Sequence, residues 1–239
     1  MQIYSDTGTK IERKMKIKYA VISKTGRRSC NEDYVKVIDK SDESHWFGAV
    51  CDGMGGHALG EIASETVCNA VCEYWEHSNE ENLVDRAQNA CHSASANLNK
   101  CASGMNHVEM GTTLVMASID GNTITITHCG DSRCYLMRDG DLIYQTKDHI
   151  GYSFGWEIVT RCFFSNKPEA AVPDTEQFEI QSGDRILLCS DGLYKSMPPE
   201  ILQARMMDDK TPEELLDVYD FLCEKNGDDN YTAILAIVE

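Results

Sequence analysis

The stretch Thr112–Thr146, TTLVMASIDGNTITITHCGDSRCYLMRDGDLIYQT, decides the fold class. Apolar and β-branched segments at Thr112–Ile119, Thr123–His128, Arg133–Met137 and Leu142–Thr146 are separated by turn chemistry. Asp120-Gly121-Asn122 and Arg138-Asp139-Gly140-Asp141 are hairpin signals, because Gly, Asn and Asp tolerate the backbone conformations of tight turns. Strands linked this way pair antiparallel. Upstream, Tyr19–Ile22 and Trp46–Cys51 read as strands. Glu61–His77 and Glu80–Cys101 read as helices: Ile62, Val67, Val71 and Trp75 recur at helical spacing in the first, and Leu83, Ala87, Ala90, Ala94 and Leu98 in the second. Downstream come strands at Gln177–Ile180, Arg185–Cys189 and Thr232–Val238, with helices near Pro199–Met207 and Pro212–Lys225. Thr211 as cap and Pro212 at the first helical position open the last helix. Strands in hairpin runs and helices in pairs, not β-α-β alternation, predict an α+β fold with a largely antiparallel sheet or sandwich and helices packed outside.

Nothing in the composition divides the chain. Its 239 residues are 42% hydrophobic, enough for a sizeable core, and no linker or repeat interrupts them. A single domain over residues 1–239 is expected, with the polar residues 1–14 as a frayed end or a short edge strand. The formal net charge of −17 disfavours nucleic acid and anionic membranes as partners. The excess acid has two compatible sources, a solvated surface and a carboxylate cluster that divalent cations neutralise. The 11 cysteines are odd in number and scattered without a Cys-x-x-Cys pair, which argues against structural zinc and for a reducing compartment. With no signal peptide at the start and no membrane span, a cytosolic monomer is expected.

One pattern carries the chemistry. Apolar strands end abruptly in Asp beside Gly: Val50-Cys51-Asp52-Gly53, Cys129-Gly130-Asp131 and Leu188-Cys189-Ser190-Asp191-Gly192. Asp228-Asp229-Asn230 directly precedes the last strand. Each Asp-Gly alone is a weak signal, and Asp139-Gly140 reads as a turn alone. If the strand ends share one rim, however, the carboxylates converge and repel, and hard divalent cations with a preference for oxygen ligands resolve that repulsion.

Arg28-x-x-Asn31-Glu32-Asp33, Asp52-Gly53-Met54-Gly55-Gly56-His57 with Gly60-Glu61, Gly111-Thr112-Thr113, Gly130-Asp131-Ser132-Arg133, Asp148-His149, Ser190-Asp191-Gly192 and Asp229-Asn230 follow one another in order. In these motifs, from Lys18 to Val238, the chain resembles the protein phosphatase 2C-like, metal-dependent serine/threonine phosphatases, and the wording around Asp52 resembles the bacterial branch. The resemblance implies a four-layer α-β-β-α sandwich of two mainly antiparallel sheets. It implies hydrolysis of phosphoserine and phosphothreonine in proteins by water activated between metal ions, Mn²⁺ or Mg²⁺, two in number with a third, weaker site. Asp52 would bridge two ions, with Asp191 and Asp229 completing the first site. The Gly53 carbonyl and the Glu32-Asp33 pair would serve the second, Asp131 would join Asp191 in the third, and Arg28 would hold the substrate phosphate. The implied partners are phosphorylated proteins, substrates of a serine/threonine kinase.

The chain also departs from the family pattern. Met54 stands where many eukaryotic members carry a histidine placed as general acid, as it does in bacterial members, which leaves that role unassigned; a capping or packing role is preferred for His57. The segment after Asp148-His149 is short, with Thr160-Arg161-Cys162-Phe163-Phe164 replacing a longer flap-like stretch. A zinc-hydrolase histidine pair, a Cys-x5-Arg loop and a Walker loop are all missing from the sequence. The competing readings are a non-catalytic signalling module that retains the fold, and a hydrolase of small phosphoesters.

Overall fold

The computed structural model describes residues 15–40, 45–54 and 59–239. The expected frayed end at residues 1–14 lies outside them, as do Gly55, Gly56 and His57. In chain order the strands and helices begin with β1 (Ile17–Lys24), β2 (Asp33–Lys40), β3 (His45–Asp52), α1 (Gly60–His77) and α2 (Leu83–Gly104). The hairpin run comprises β4 (Gly111–Thr112), β5 (Leu114–Asp120), β6 (Thr123–Cys129), β7 (Arg133–Arg138) and β8 (Asp141–Gln145). There follow β9 (Ile150–Ser153), β10 (Trp156–Val159), β11 (Phe163–Phe164), β12 (Asp174–Glu179) and β13 (Arg185–Cys189). The chain closes with α3 (Asp191–Tyr194), α4 (Pro199–Met206), α5 (Pro212–Asn226) and β14 (Tyr231–Val238).

Two five-stranded antiparallel sheets, in the orders β1-β14-β13-β7-β8 and β12-β6-β5-β3-β2, face each other. Helices α1 and α2 cover the outside of the second sheet and α3, α4 and α5 the outside of the first. This is the expected layered sandwich.

Most central strands are buried on both faces and read as continuous apolar runs, β6 with its alternating Thr and Ile being the exception. Phe47, Ala49 and Cys51 of β3 pack under α1 and α2, while Trp46 and Val50 meet the opposite sheet. In β14, Tyr231, Ala233 and Leu235 pack towards the helices, and Ile234, Ala236 and Val238 fill the space between the sheets. Side chains that alternate by two thus supply two cores from one strand, and each large one contributes about 1.5–3 kcal/mol on burial. Gly48 is the close-approach point: an added Cβ would stand 2.7 Å from the Trp46 ring and 2.9 Å from Ile234 Cδ1.

Several elements differ from the sequence expectation, among them the unread strands β9, β10 and β11 and the start of β12, at Asp174 and not Gln177. The first strand is longer, since all eight residues Ile17–Lys24 pair with β14. The second helix starts at Leu83, not Glu80, because the Asn82 side chain accepts hydrogen bonds from the amides of Val84 (3.0 Å) and Asp85 (3.3 Å). Strand β2 was not expected at all. The last helix begins as read, with Thr211 and Glu214 exchanging side-chain-to-amide hydrogen bonds of 3.3 and 3.0 Å.

Candidate metal centre

Asp52 is the last residue of β3, and neighbouring backbone clamps it there. Its amide donates to Thr113 Oγ1 (3.1 Å), and its carbonyl accepts from Thr112 Oγ1 (2.8 Å) and the Thr113 amide (2.9 Å). The next two amides continue the clamp, Gly53 donating to the Glu32 carbonyl and Met54 to the Gly111 carbonyl, both at 3.0 Å. A Cβ on Gly53 would collide with the carbonyl oxygens of Gly60 and Glu32, so only glycine fits between the two chains. The Gly111-Thr112-Thr113 motif is therefore the strap that holds the Asp52 turn.

The antiparallel register places Asp33 directly opposite Asp52. Ser190 Oγ donates to Asp33 Oδ2 (2.7 Å) and accepts from the Thr232 amide (3.0 Å), which links the two sheets below the carboxylates. Burial, with the charges of Asp191 and Asp229 added, lifts the Asp33 carboxyl to about 7. Asp52 is pushed well above the usual carboxylate range by burial and by the charges of Asp33, Asp191 and Asp131. Asp131 rises to about 6, by burial and by Asp191. Glu32 also moves up, through burial and the nearby Glu61. Several carboxylates competing for protons in one place mark a site short of positive charge.

Arg28, Glu32, Asp52, Gly53, Asp131, Asp191 and Asp229 all border one cavity of about 290 Å³. Strand ends from both sheets thus deliver the expected residues together. Asp33 does not border the cavity; its carboxylate lies with Ser190. Arg28 Nη2 donates to Asp229 Oδ2 at 2.7 Å, with the Arg28 side chain 53% exposed. Arg27, by contrast, points to the carbonyls of Glu224 and Lys225 at the end of α5 and serves the fold.

Three residues hold the constellation without having been given a role by the sequence. The buried Asn230 side chain donates to the carbonyls of Thr25 and Cys30, both at 2.8 Å, and accepts from the Glu32 amide at 2.9 Å. It staples the Arg28–Glu32 loop to Asp229. Thr113 Oγ1 lies 2.7 Å from Ser132 Oγ, which joins the Asp52 strap to the Asp131 turn. Lys195 Nζ lies 2.7 Å from Asp191 Oδ2, 3.8 Å from Asp131 Oδ2 and 4.0 Å from Glu157 Oε1. The only sequence signal for Lys195 was its spacing of four from Asp191.

The Asp148-His149 motif is scaffolding for the Asp131 turn. His149 exchanges backbone and ring hydrogen bonds with Gly130, its amide donating to the Gly130 carbonyl (3.0 Å) and its Nδ1 accepting from the Gly130 amide (3.2 Å). Asp148 grips Arg133 with two hydrogen bonds of 2.9 and 2.7 Å. His128, His149 and Asp174 cluster closely enough to suggest a second cation site. The bonding argues otherwise: with Nδ1 accepting, the His149 proton sits on Nε2 and faces Asp174 (2.9 Å), which Arg161 also neutralises (2.9 Å).

The donor set suits a hard divalent cation. Among the described residues that border the cavity, the side chains able to ligate are oxygen donors, with no histidine or cysteine. Oxygen-only ligation and crowded, proton-seeking carboxylates fit Mg²⁺ or Mn²⁺ and do not fit zinc.

A family model described as protein phosphatase 2C matches residues 23–233. The serine/threonine protein phosphatase PstP of Mycobacterium tuberculosis is 30% identical over 89% of this chain, which spans 45% of that protein's length. The serine/threonine phosphatase stp of Listeria monocytogenes is 29% identical, covering 87% of this chain and 90% of that one. The solved catalytic domain of PstP, in complex with two manganese ions, superposes with a TM-score of 0.80 at 29% identity, over 94% of this chain and 99% of that domain. With the family model spanning most of the chain and the motifs assembled around one cavity, the chain belongs to the protein phosphatase 2C family.

Proposed function

We propose that this chain hydrolyses phosphoserine and phosphothreonine in proteins, with Asp52, Asp191, Asp229, Glu32 and the Gly53 carbonyl holding two divalent ions, Mn²⁺ or Mg²⁺, and Asp33 acting on them through water. The observation that carries this reading is the convergence of carboxylates from the ends of strands in both sheets on a single cavity. Bound there, the ions supply activation of a water and a clamp on the in-line displacement at phosphorus.

The chain's own residues prepare that chemistry. The Asp52 backbone is fixed by three hydrogen bonds with Thr112 and Thr113, which sets where its carboxylate leaves the strand end. Asp33, anchored by Ser190, adds negative charge beneath Asp52. Arg28 is oriented by Asp229 and, among the described residues, its other guanidinium nitrogens are free at the cavity, where a planar fork suits phosphate oxygens. Met54 borders the cavity and carries no proton to give to the leaving alkoxide.

Phosphorylated proteins, made by a serine/threonine kinase, are the substrates proposed. Eleven free cysteines support a reducing compartment. Among the described residues no helix is long and apolar enough to cross a membrane. Phosphate release from a phosphothreonine peptide, titrated with Mn²⁺ and with Mg²⁺ against a chelator, tests the reading. Saturable, chelator-sensitive release is expected; no release from folded protein with either ion would favour the binding-module reading.

A further inference from the structure

The carboxylate cluster is not uniform. At one end Asp229 meets Arg28, which is exposed and points to the cavity mouth. At the other end Lys195 stands one helical turn after Asp191, and its ammonium lies among carboxylates from three separate elements. Asp191 opens α3, Asp131 lies in the turn between β6 and β7, and Glu157 is on β10. Arg133 and Lys195 both bring their cationic groups towards the Tyr194 ring, at 3.6 and 5.8 Å from its centre.

A divalent ion bonded to the oxygens of Asp131 and Asp191 that face Lys195 would stand within a few ångström of this ammonium. Like charges that close exclude one another unless one of them leaves. An ammonium differs from a divalent ion in what it asks of the site. It donates hydrogen bonds to a few oxygens, here to Asp191 Oδ2 at 2.7 Å with Asp131 Oδ2 3.8 Å away, whereas Mg²⁺ or Mn²⁺ would have to take these same two carboxylates and complete its shell with water.

We propose that Lys195 is a built-in counter-cation filling the Asp131–Asp191 end of the cluster, so that this chain loads two divalent ions and not three. The inference rests on the reading of the cluster as a divalent-ion centre. It assigns Lys195 a charge-balancing place in the site, and it makes the third ion expected from the family resemblance a competitor of this side chain. Because Lys195 is half-exposed, the competition is one of affinity: a third ion enters only as the lysine swings out to solvent.

Counting ions tests this without reference to turnover. The full chain, stripped with chelator, is titrated with Mn²⁺ alone, and free Mn²⁺ is followed by its paramagnetic resonance signal. Wild type is expected to bind two ions, and Lys195→Met to bind a third at least about tenfold more tightly than wild type does. The double variant Lys195→Met/Asp131→Asn should return to two. Lys195→Arg, which keeps the charge, should stay at two, separating charge from packing; Lys195→Gln serves if the methionine variant fails to fold. An equal, non-zero number of ions in wild type and in the neutral variants would overturn the inference and leave the metal-centre reading standing. No bound ion in wild type would sink the metal-centre reading, and the inference with it.

Discussion

The chain contains the same dipeptide in two settings, Asp52-Gly53 and Asp139-Gly140, and they differ in everything but wording. Asp139 and Gly140 both have positive φ, 51° and 94°, and join β7 to β8 as a two-residue turn with nothing within 4 Å of an added Gly140 Cβ. Glycine is there for its backbone freedom. Gly53 is there because no Cβ fits between the carbonyls of Gly60 and Glu32. Asp139 meets solvent, while Asp52 meets Asp33, Asp191 and Asp131 across buried space. What makes an Asp-Gly functional is therefore the apolar strand before it and the chains packed on either side, not the dipeptide.

That contrast can be broken in several ways. Asp52→Asn should lower metal-dependent turnover at least about a hundredfold, equivalent to about 2.7 kcal/mol, whereas Asp139→Asn should leave steady-state rates within about twofold; equal effects would end the distinction. Gly53→Ala should cost about 3 kcal/mol through overpacking, and Gly140→Ala only about 1 kcal/mol from its positive φ. Denaturant unfolding of the two variants reads this difference directly. Arg28→Ala should raise KM for a phosphopeptide about tenfold, or about 1.4 kcal/mol, with little change in Mn²⁺ affinity. An unchanged KM would remove Arg28 from the phosphate site.

The smallest effect concerns pH. The Asp33 and Asp131 carboxyls are raised to about 7 and about 6, above their unfolded value of about 3.9. The folded chain therefore binds more protons than the unfolded one, and stability from this source is present below about pH 4 and is lost as pH rises towards 7. Chelator-treated protein should melt lower at pH 8 than at pH 5, by roughly 2–4 °C for each 1 kcal/mol. Asp33→Asn should flatten that slope, and Mn²⁺, by binding only the folded chain, should offset it. A slope unchanged in Asp33→Asn would show that the Asp33 carboxyl is not what makes stability pH-dependent.

Much of this was legible in the sequence because most central strands have two buried faces and read as apolar runs that cannot be overlooked. Trp46–Cys51 and Thr232–Val238 were found for this reason, and the Asp residues at their ends with them. Strand β2 was missed for the converse reason. It lies at a sheet edge, and Asp33, Lys36, Asp39 and Lys40 interrupt its Val35-x-Val37 alternation, so its membership depends on β3. The candidate ligand positions were also legible, since each sits where a strand starts or stops. The positions of Asn230 and Thr113 were not, because their partners are distant in sequence: Asn230 contacts Cys30 across 200 residues. A linear reading shows which side chains end a strand and cannot show which loop they will meet.

The place of β14 has a consequence for how the protein is made. This last strand, Tyr231–Val238, lies inside its sheet between β1 and β13, and the Asn230 staple sits just before it. During synthesis β1 emerges first and must wait for a neighbour translated more than two hundred residues later. Until then the Arg28 side chain lacks its Asp229 partner and the Glu32 amide its Asn230 acceptor. A chain that has not yet delivered Tyr231–Val238 therefore leaves the β1 edge unpaired and open to pairing with other chains.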